Sequence, residues 1–143
     1  MFSQLRKQGH LSTSYIDDSL LVAKSKESCR KNVQDTTELA TKAGFVIHPT
    51  KSVFEPTRNI LYLGFWLNSI DMTVKITKEK SLKIKNACQD LLSKELVTIQ
   101  NLFEVIGLMV ASFPGVQYGQ LFYRQCDNLK NKKIKENNGY LGA

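Results

Sequence analysis

The sequence predicts an α+β fold, with a mixed strand-and-helix part over residues 1–76 and a helical part from residue 77 onward. Three observations carry this. Short β-prone runs separated by Gly, Pro, Asn and Ser signals recur as far as Ile76. Beyond Thr77, apolar residues fall at helical spacing instead. Finally, Tyr15-Ile16-Asp17-Asp18 stands between Ser12-Thr13-Ser14 and Leu20-Leu21-Val22-Ala23, two β-prone arms around a turn.

The elements follow in order. Leu5 to Gln8 reads as the last turn of a helix, with Gly9 at its C-cap. His10 to Tyr15 and Ser19 to Lys24 form the arms of a hairpin. Ser25 caps a helix from Lys26 to Ala43, whose Cys29, Val33, Thr37 and Ala40 recur at helical spacing, and Gly44 stops it. Phe45-Val46-Ile47 is a short strand ended by His48-Pro49, and Lys51 to Phe54 is extended. Ile60 to Leu67 reads as one strand, with Leu63, Tyr62 and Trp66 in the core, and Asn68 to Asp71 turns the chain into Met72 to Ile76. Thr77 caps a helix from Lys78 to Ser93. Thr98 caps another, with Ile99, Leu102, Phe103, Ile106, Met109 and Val110 on its buried face, closed by Pro114-Gly115. A third helix runs from Val116 to Asp127. Residues 130–143 are basic and polar and read as a disordered tail.

Composition bounds the function. The 143 residues suit one ordinary domain, and 42% hydrophobic with 23% charged content suits a folded chain. Twenty Lys and Arg against 13 Asp and Glu give a formal charge of +7, which favours a polyanionic partner, nucleic acid first and an anionic membrane surface second. Cys29, Cys88 and Cys126 are odd in number and form no CxxC, so a disulfide framework and a zinc site are disfavoured and a reducing intracellular location, cytoplasm or nucleus, is expected. The N-terminal residues lack the apolar stretch of a secretion signal, and no apolar run reaches membrane-spanning length.

Two adjacent carboxylates repel one another, and a tight turn that presents both is suited to a cation, as in two-metal phosphoryl-transfer sites. Asp is also a common residue of plain solvated turns. Residues 15–18 alone leave both readings open. His10 and His48 lie at neither metal-ligand nor nucleophile–base spacing and read as structural. Gly107, Pro114 and Gly115 read as helix packing and termination.

Several segments, in order, resemble the reverse transcriptases of retroelements. Tyr15-Ile16-Asp17-Asp18 matches their YxDD motif. The stretch from Ala43 to Ser52, glycine-led and ending in Lys51-Ser52, is similar to the motif that follows it. Ile60-Leu61-Tyr62-Leu63-Gly64-Phe65-Trp66 resembles the primer grip, with its central Leu-Gly-aromatic. The stretch from Val105 to Val116 resembles the thumb of long-terminal-repeat and DIRS-like elements. The likeness runs to about Lys130.

The resemblance implies a partial polymerase palm over residues 1–76, a helical thumb over 77–129, and RNA-directed DNA polymerase chemistry. It implies that Asp17 and Asp18 are catalytic metal ligands for two Mg²⁺ ions, whose preference for hard oxygen donors suits carboxylates. Tyr15 and Ile16 lie near primer and nucleotide, as do Leu63, Gly64 and Phe65. Lys51 approaches the nucleotide phosphates, its alternative being a solvated lysine after a turn. Gly64 admits the primer backbone closely, its alternative being a bulge or core contact. Lys75, Lys78, Lys80, Lys83 and Lys85, offset by Glu79, track backbone phosphates, their alternative being a solvated face. The implied partners are an RNA or DNA template–primer and a deoxynucleoside triphosphate.

The family's metal site needs a third acid, on a strand that comes before the YxDD hairpin. Only 14 residues precede Tyr15, and Asp35, Glu38 and Asp71 suit no such role. The expectation is therefore the C-terminal half of a palm plus thumb, inactive without an N-terminal palm and fingers half. The alternatives are a basic nucleic-acid-binding domain without catalysis, or a degraded retroelement reading frame.

Overall fold

The computed structural model describes residues 2–95 and 97–136. It is an α+β assembly of helices and small antiparallel sheets, divided by its internal contacts into residues 1–63 and residues 64–143.

In the first unit, helix α1 (Phe2–Lys7) is closed by Gly9 at φ 86°, with the His10 amide donating to Leu5 O at 3.0 Å. Strands β1 (Leu11–Tyr15) and β2 (Asp18–Val22) pair antiparallel from Leu11↔Val22 to Tyr15↔Asp18. Helix α2 (Lys26–Lys42) begins with a reciprocal Ser25–Ser28 capping box, so two of its orphan amide groups are satisfied locally. Gly44, at φ 82°, then turns the chain out of the helix.

The inward face of α2 is partly polar. Asn32 is 1% exposed, and Thr36 and Ala40 are also buried, as is Leu5 of α1. Asn32 Nδ2 donates to Leu11 O at 3.0 Å while Thr36 Oγ1 donates to Asn32 Oδ1 at 3.2 Å. His10 Nε2 lies 2.7 Å from Asp35 Oδ2. Residues 32, 35 and 36 share one face of the helix, so α2 is stapled to the start of the hairpin by hydrogen bonds.

Two expected strands are corrected here. Phe45 to Ile47 forms no strand, and Val46 is 97% exposed. Its β-propensity goes unused because a strand needs a neighbouring ladder, and none is offered to it among the described residues. Residues 51–54 are likewise irregular. The single strand expected from Ile60 to Leu67 is broken into β3 (Asn59–Tyr62) and β4 (Phe65–Asn68). Leu63 and Gly64 between them take φ of 50° and 76°, values that end an extended run.

In the second unit, β4 pairs antiparallel with β5 (Thr73–Ile76), from Phe65↔Ile76 to Asn68↔Thr73. Asn68 Oδ1 closes their loop by accepting from the amides of Ile70 and Asp71 at 2.8 and 3.1 Å. Helices α3 (Lys78–Ser93), α4 (Ile99–Val110) and α5 (Gly119–Glu136) follow, the first two capped by Thr77 and Thr98 as expected. A 3₁₀ turn at Phe113–Gly115 separates α4 from α5. A Cβ on Gly115 would lie 2.7 Å from Ile76 N and 2.9 Å from Phe65 Cδ1, so this glycine lets the turn sit directly on the β4–β5 hairpin. That contact is why the hairpin belongs with the helices.

The core of this unit is Phe65, Leu102, Val105 and Ile106. Phe103 and Val110, expected inside, are 37% and 44% exposed. Leu63 and Trp66 are exposed as well, and Tyr62 is half-buried, so none of the three is a core residue. Gly107 does not serve packing either, because a Cβ there would meet nothing within 4 Å. Helix α5 carries the chain through residues 130–136, which are helical rather than a disordered tail; residues 137–143 lie outside the described residues. Among the described residues no helix is long and apolar enough to cross a membrane.

Candidate functional site

The ladder of the first unit closes at Tyr15↔Asp18, leaving Ile16 and Asp17 as a two-residue loop. Such a loop needs a positive φ at its first position, where glycine is usual. Here Ile16 supplies it at φ 51°, an unfavourable conformation for a β-branched side chain. The side chain is 84% exposed, so the strain is not offset by burial. Backbone strain of this kind gathers at functional sites. Tyr15 is 59% exposed, and Asp17 and Asp18 are exposed too. Among the described residues neither carboxylate has a hydrogen-bond or ion-pair partner, which leaves both free to bind a ligand. Burial pushes the Tyr62 phenol above its ordinary value, and the Asp18 carboxylate adds to the shift. Asp18 therefore lies near Tyr62 of β3.

Asp17 and Asp18 supply hard oxygen donors of the kind Mg²⁺ prefers. Among the described residues no group of three His, Cys, Asp or Glu able to hold a metal ion occurs, so no third such residue joins the pair. Asp35 is engaged by His10, and Glu38 accepts from Gln34 Nε2 at 3.2 Å. Asp71 sits in the β4–β5 loop.

Lys51 is exposed in the irregular segment that follows α2, inside a turn closed by Ser52 N donating to His48 O at 3.2 Å. Among the described residues it forms no bond to Asp17 or Asp18. An ionic clasp missed by the sequence reading ties this segment to α2. Arg30 donates to both Glu55 oxygens, Nη2 at 2.7 Å and Nε at 3.3 Å, and Lys26 Nζ lies 2.8 Å from Oε1. The hydrogen bonds from Arg30 and then Lys26 hold the Glu55 carboxyl down at about 2. Lys26 and Arg30 are one helical turn apart, a visible signal, but their partner lies 25 residues beyond Arg30 and no local pattern marks it.

In the second unit the residues around Gly64 make contacts within the protein, in keeping with the core-contact alternative at that glycine. Phe65 is 8% exposed, a core residue. The space left by Gly64 is filled by Lys80 of α3: a Cβ on Gly64 would lie 3.3 Å from Lys80 Cδ. The Lys80 ammonium rests over the Phe65 ring, 3.9 Å from its centroid. Burial lowers the Lys80 pKa. The other lysines do not form one track with it. At about 100° per residue, Lys78 and Lys85 fall on one side of α3, while Lys80 and Lys83 fall roughly 140° or more away from Lys78. Lys75 lies on β5, opposite Trp66.

Residues 1–67 match the family model for reverse transcriptase (RNA-dependent DNA polymerase). No curated protein matches the chain. Among solved structures, a foamy viral protease–reverse transcriptase in complex with double-stranded DNA is similar in fold, with a TM-score of 0.64 and 18% identity. The match covers 92% of this chain and 22% of that one, so the chain spans about a fifth of its relative's length. The likeness to reverse transcriptases is thus carried in sequence by residues 1–67 and in fold by 92% of the chain.

Proposed function

We propose that the chain is the YxDD-bearing palm segment, with the start of the thumb, of a retroelement RNA-directed DNA polymerase. The observation that carries this is the hairpin tip, where two unpartnered carboxylates project from a turn strained at Ile16. In this reading Asp17 and Asp18 are the catalytic carboxylates, and Tyr15 and Ile16 lie beside the primer end and the nucleotide. Lys51 approaches the nucleotide phosphates. Leu63 and Gly64 border the primer, and the lysines of β5 and α3 meet backbone phosphates. Mg²⁺ is the cofactor of the longer enzyme, and a further carboxylate from its N-terminal palm completes the site. Template–primer and deoxynucleoside triphosphate are its substrates, and long-terminal-repeat and DIRS-like elements are the element classes in view.

Mn²⁺ titration followed by NMR tests the metal assignment. Selective broadening of the amides of residues 16–19, lost in Asp17→Asn, supports it; broadening spread evenly over all exposed acids overturns it.

The incomplete acid set and the formal charge of +7 favour a second reading, a basic module that grips a template–primer without turnover. Tight, salt-sensitive binding of primer–template that neither Mn²⁺ nor Asp17→Asn alters would favour that module.

A further inference from the structure

We propose that Cys88 of α3 and Cys126 of α5 form an oxidisable dithiol, a reversible disulfide site that ties the two helices together when a peroxide reaches it. The site is independent of the carboxylates at the hairpin tip. Both cysteines are half-buried and free. On α3 the half-buried residues are Lys80, Ile84, Ala87, Cys88 and Leu91, the spacing of a single inward face. On α5, as far as Lys130, they are Gly119, Tyr123, Cys126, Asp127 and Lys130, again one face.

Helix α4 meets both faces. Ala87, the neighbour of Cys88, shares a groove with Leu108 of α4. Lys130, one turn beyond Cys126, rests over the Phe103 ring of α4, 5.5 Å from its centroid. One turn before Cys126, the Tyr123 ring lies 5.0 Å from that of Phe113, just after α4. The two thiols also act on one another. Burial first, and then the neighbouring Cys126, raise the Cys88 thiol above its ordinary value. Such an effect needs proximity, because it falls with distance. Three free cysteines without a CxxC make no structural framework, so a bridge between this pair is one that forms and is reduced again.

The raised Cys88 thiol holds its proton, which suits it to the second step of the oxidation. In the first step the Cys126 thiolate attacks one oxygen of hydrogen peroxide. The O–O bond breaks, the departing hydroxide takes a proton to become water, and Cys126 is left as a sulfenic acid. The Cys88 sulfur then attacks the Cys126 sulfur. The S–S bond forms as the S–O bond breaks, and the hydroxyl leaves with the Cys88 proton as water. Two thiols are oxidised to one disulfide, and one peroxide is reduced to two waters.

The test is thiol counting and peptide mapping of the full 143-residue chain after hydrogen peroxide. Three thiols should fall to one, with Cys29 left reduced. The tryptic peptides Asn86–Lys94 and Gln125–Lys130 should run as one linked mass that dithiothreitol separates. Phenylarsine oxide, which needs two adjacent thiols, should bind once per chain without any oxidation. That binding should survive Cys29→Ser and be lost in Cys88→Ser and in Cys126→Ser. The oxidised chain should melt roughly 10 °C higher, because the bridge restrains the unfolded chain. The mapping uses the wild-type chain, so it stands even where a serine variant fails to fold. Loss of all three thiols to unlinked sulfinic acids overturns the site, as does a link that includes Cys29 or joins two chains. An oxidised chain that melts lower would mark a bridge forced between thiols that do not face, and overturns it too.

Discussion

At the scale of single residues, three glycines show how differently the same missing side chain acts. Gly115 is a contact: a Cβ there would lie 2.7 Å from the Ile76 amide nitrogen, a backbone atom with little room to move. Gly115→Ala should therefore cost about 1–3 kcal/mol, the usual penalty of forcing atoms into a packed site. Gly107 is the opposite case, since a Cβ would meet nothing within 4 Å inside helix α4. There alanine narrows the unfolded ensemble and suits the helix, so Gly107→Ala should stabilise by about 0.5–1 kcal/mol. Urea midpoints for the two variants check both signs, and a destabilising Gly107→Ala would mean that something packs on that face. Gly64 combines a positive φ of 76° with a filled space. The sequence marked Gly64 and Gly115 as places of close contact but did not show which neighbour each meets, and it gave Gly107 a packing role that the structure does not bear out. The caps at Ser25, Thr77 and Thr98 were legible, since a capping hydroxyl reaches only three residues ahead.

At the scale of elements, helix α2 organises the first unit through two polar attachments. Asn32 is buried, with its amide donating to Leu11 O and its carbonyl accepting from Thr36. Asn32→Leu removes the bond to the Leu11 carbonyl and leaves the Thr36 hydroxyl without its acceptor, so a loss of about 1–3 kcal/mol is expected. Increased amide exchange in residues 11–22, measured on the same variant, would locate the loss at the hairpin. The second attachment is the Glu55 clasp. Its carboxyl is held at about 2 against an ordinary 4.5, so its stabilising effect is complete above pH 4.5 and is lost as pH falls toward 2. The groups are fully exposed and salt screens them. Glu55→Gln should flatten stability against pH across that window, and 1 M salt should bring the wild type toward the variant. An unchanged acid limb in Glu55→Gln would show that the clasp does not bear on folding. The hairpin, its loop and helices α2, α3 and α4 were legible from period and caps, which are local, whereas α5 runs on past Asp127 to Glu136. The absent strand at 45–47 and the broken strand at 60–67 were not, because a strand depends on neighbours that only the fold supplies.

At the scale of the whole molecule, the carboxylates of the tip decide between a catalyst and a binding module. Phosphoryl transfer by two cations needs enough fixed oxygen ligands to hold both ions against their charge repulsion. In the proposed reading Asp17 and Asp18 supply two such ligands, and no third acid completes a cluster with them among the described residues. The 143-residue chain should therefore give no primer extension with Mg²⁺, measured on a primer–template with all four deoxynucleotides. The physical defect is one of ligand count, so it has a specific remedy. Joining the chain to a palm segment that presents one further carboxylate beside the hairpin should restore extension. Asp17→Asn in the joined protein should then cost more than the roughly 10–100-fold typical of removing a partner that merely supports a metal ligand. Extension by the 143-residue chain itself, lost in Asp17→Asn, would show that two acids with water and substrate oxygens suffice. A joined protein that binds primer–template tightly, shows the Mn²⁺ broadening at residues 16–19 and still fails to extend would place the defect elsewhere. The strained Ile16 turn would then be the next element to test, because it sets the direction in which Asp17 projects.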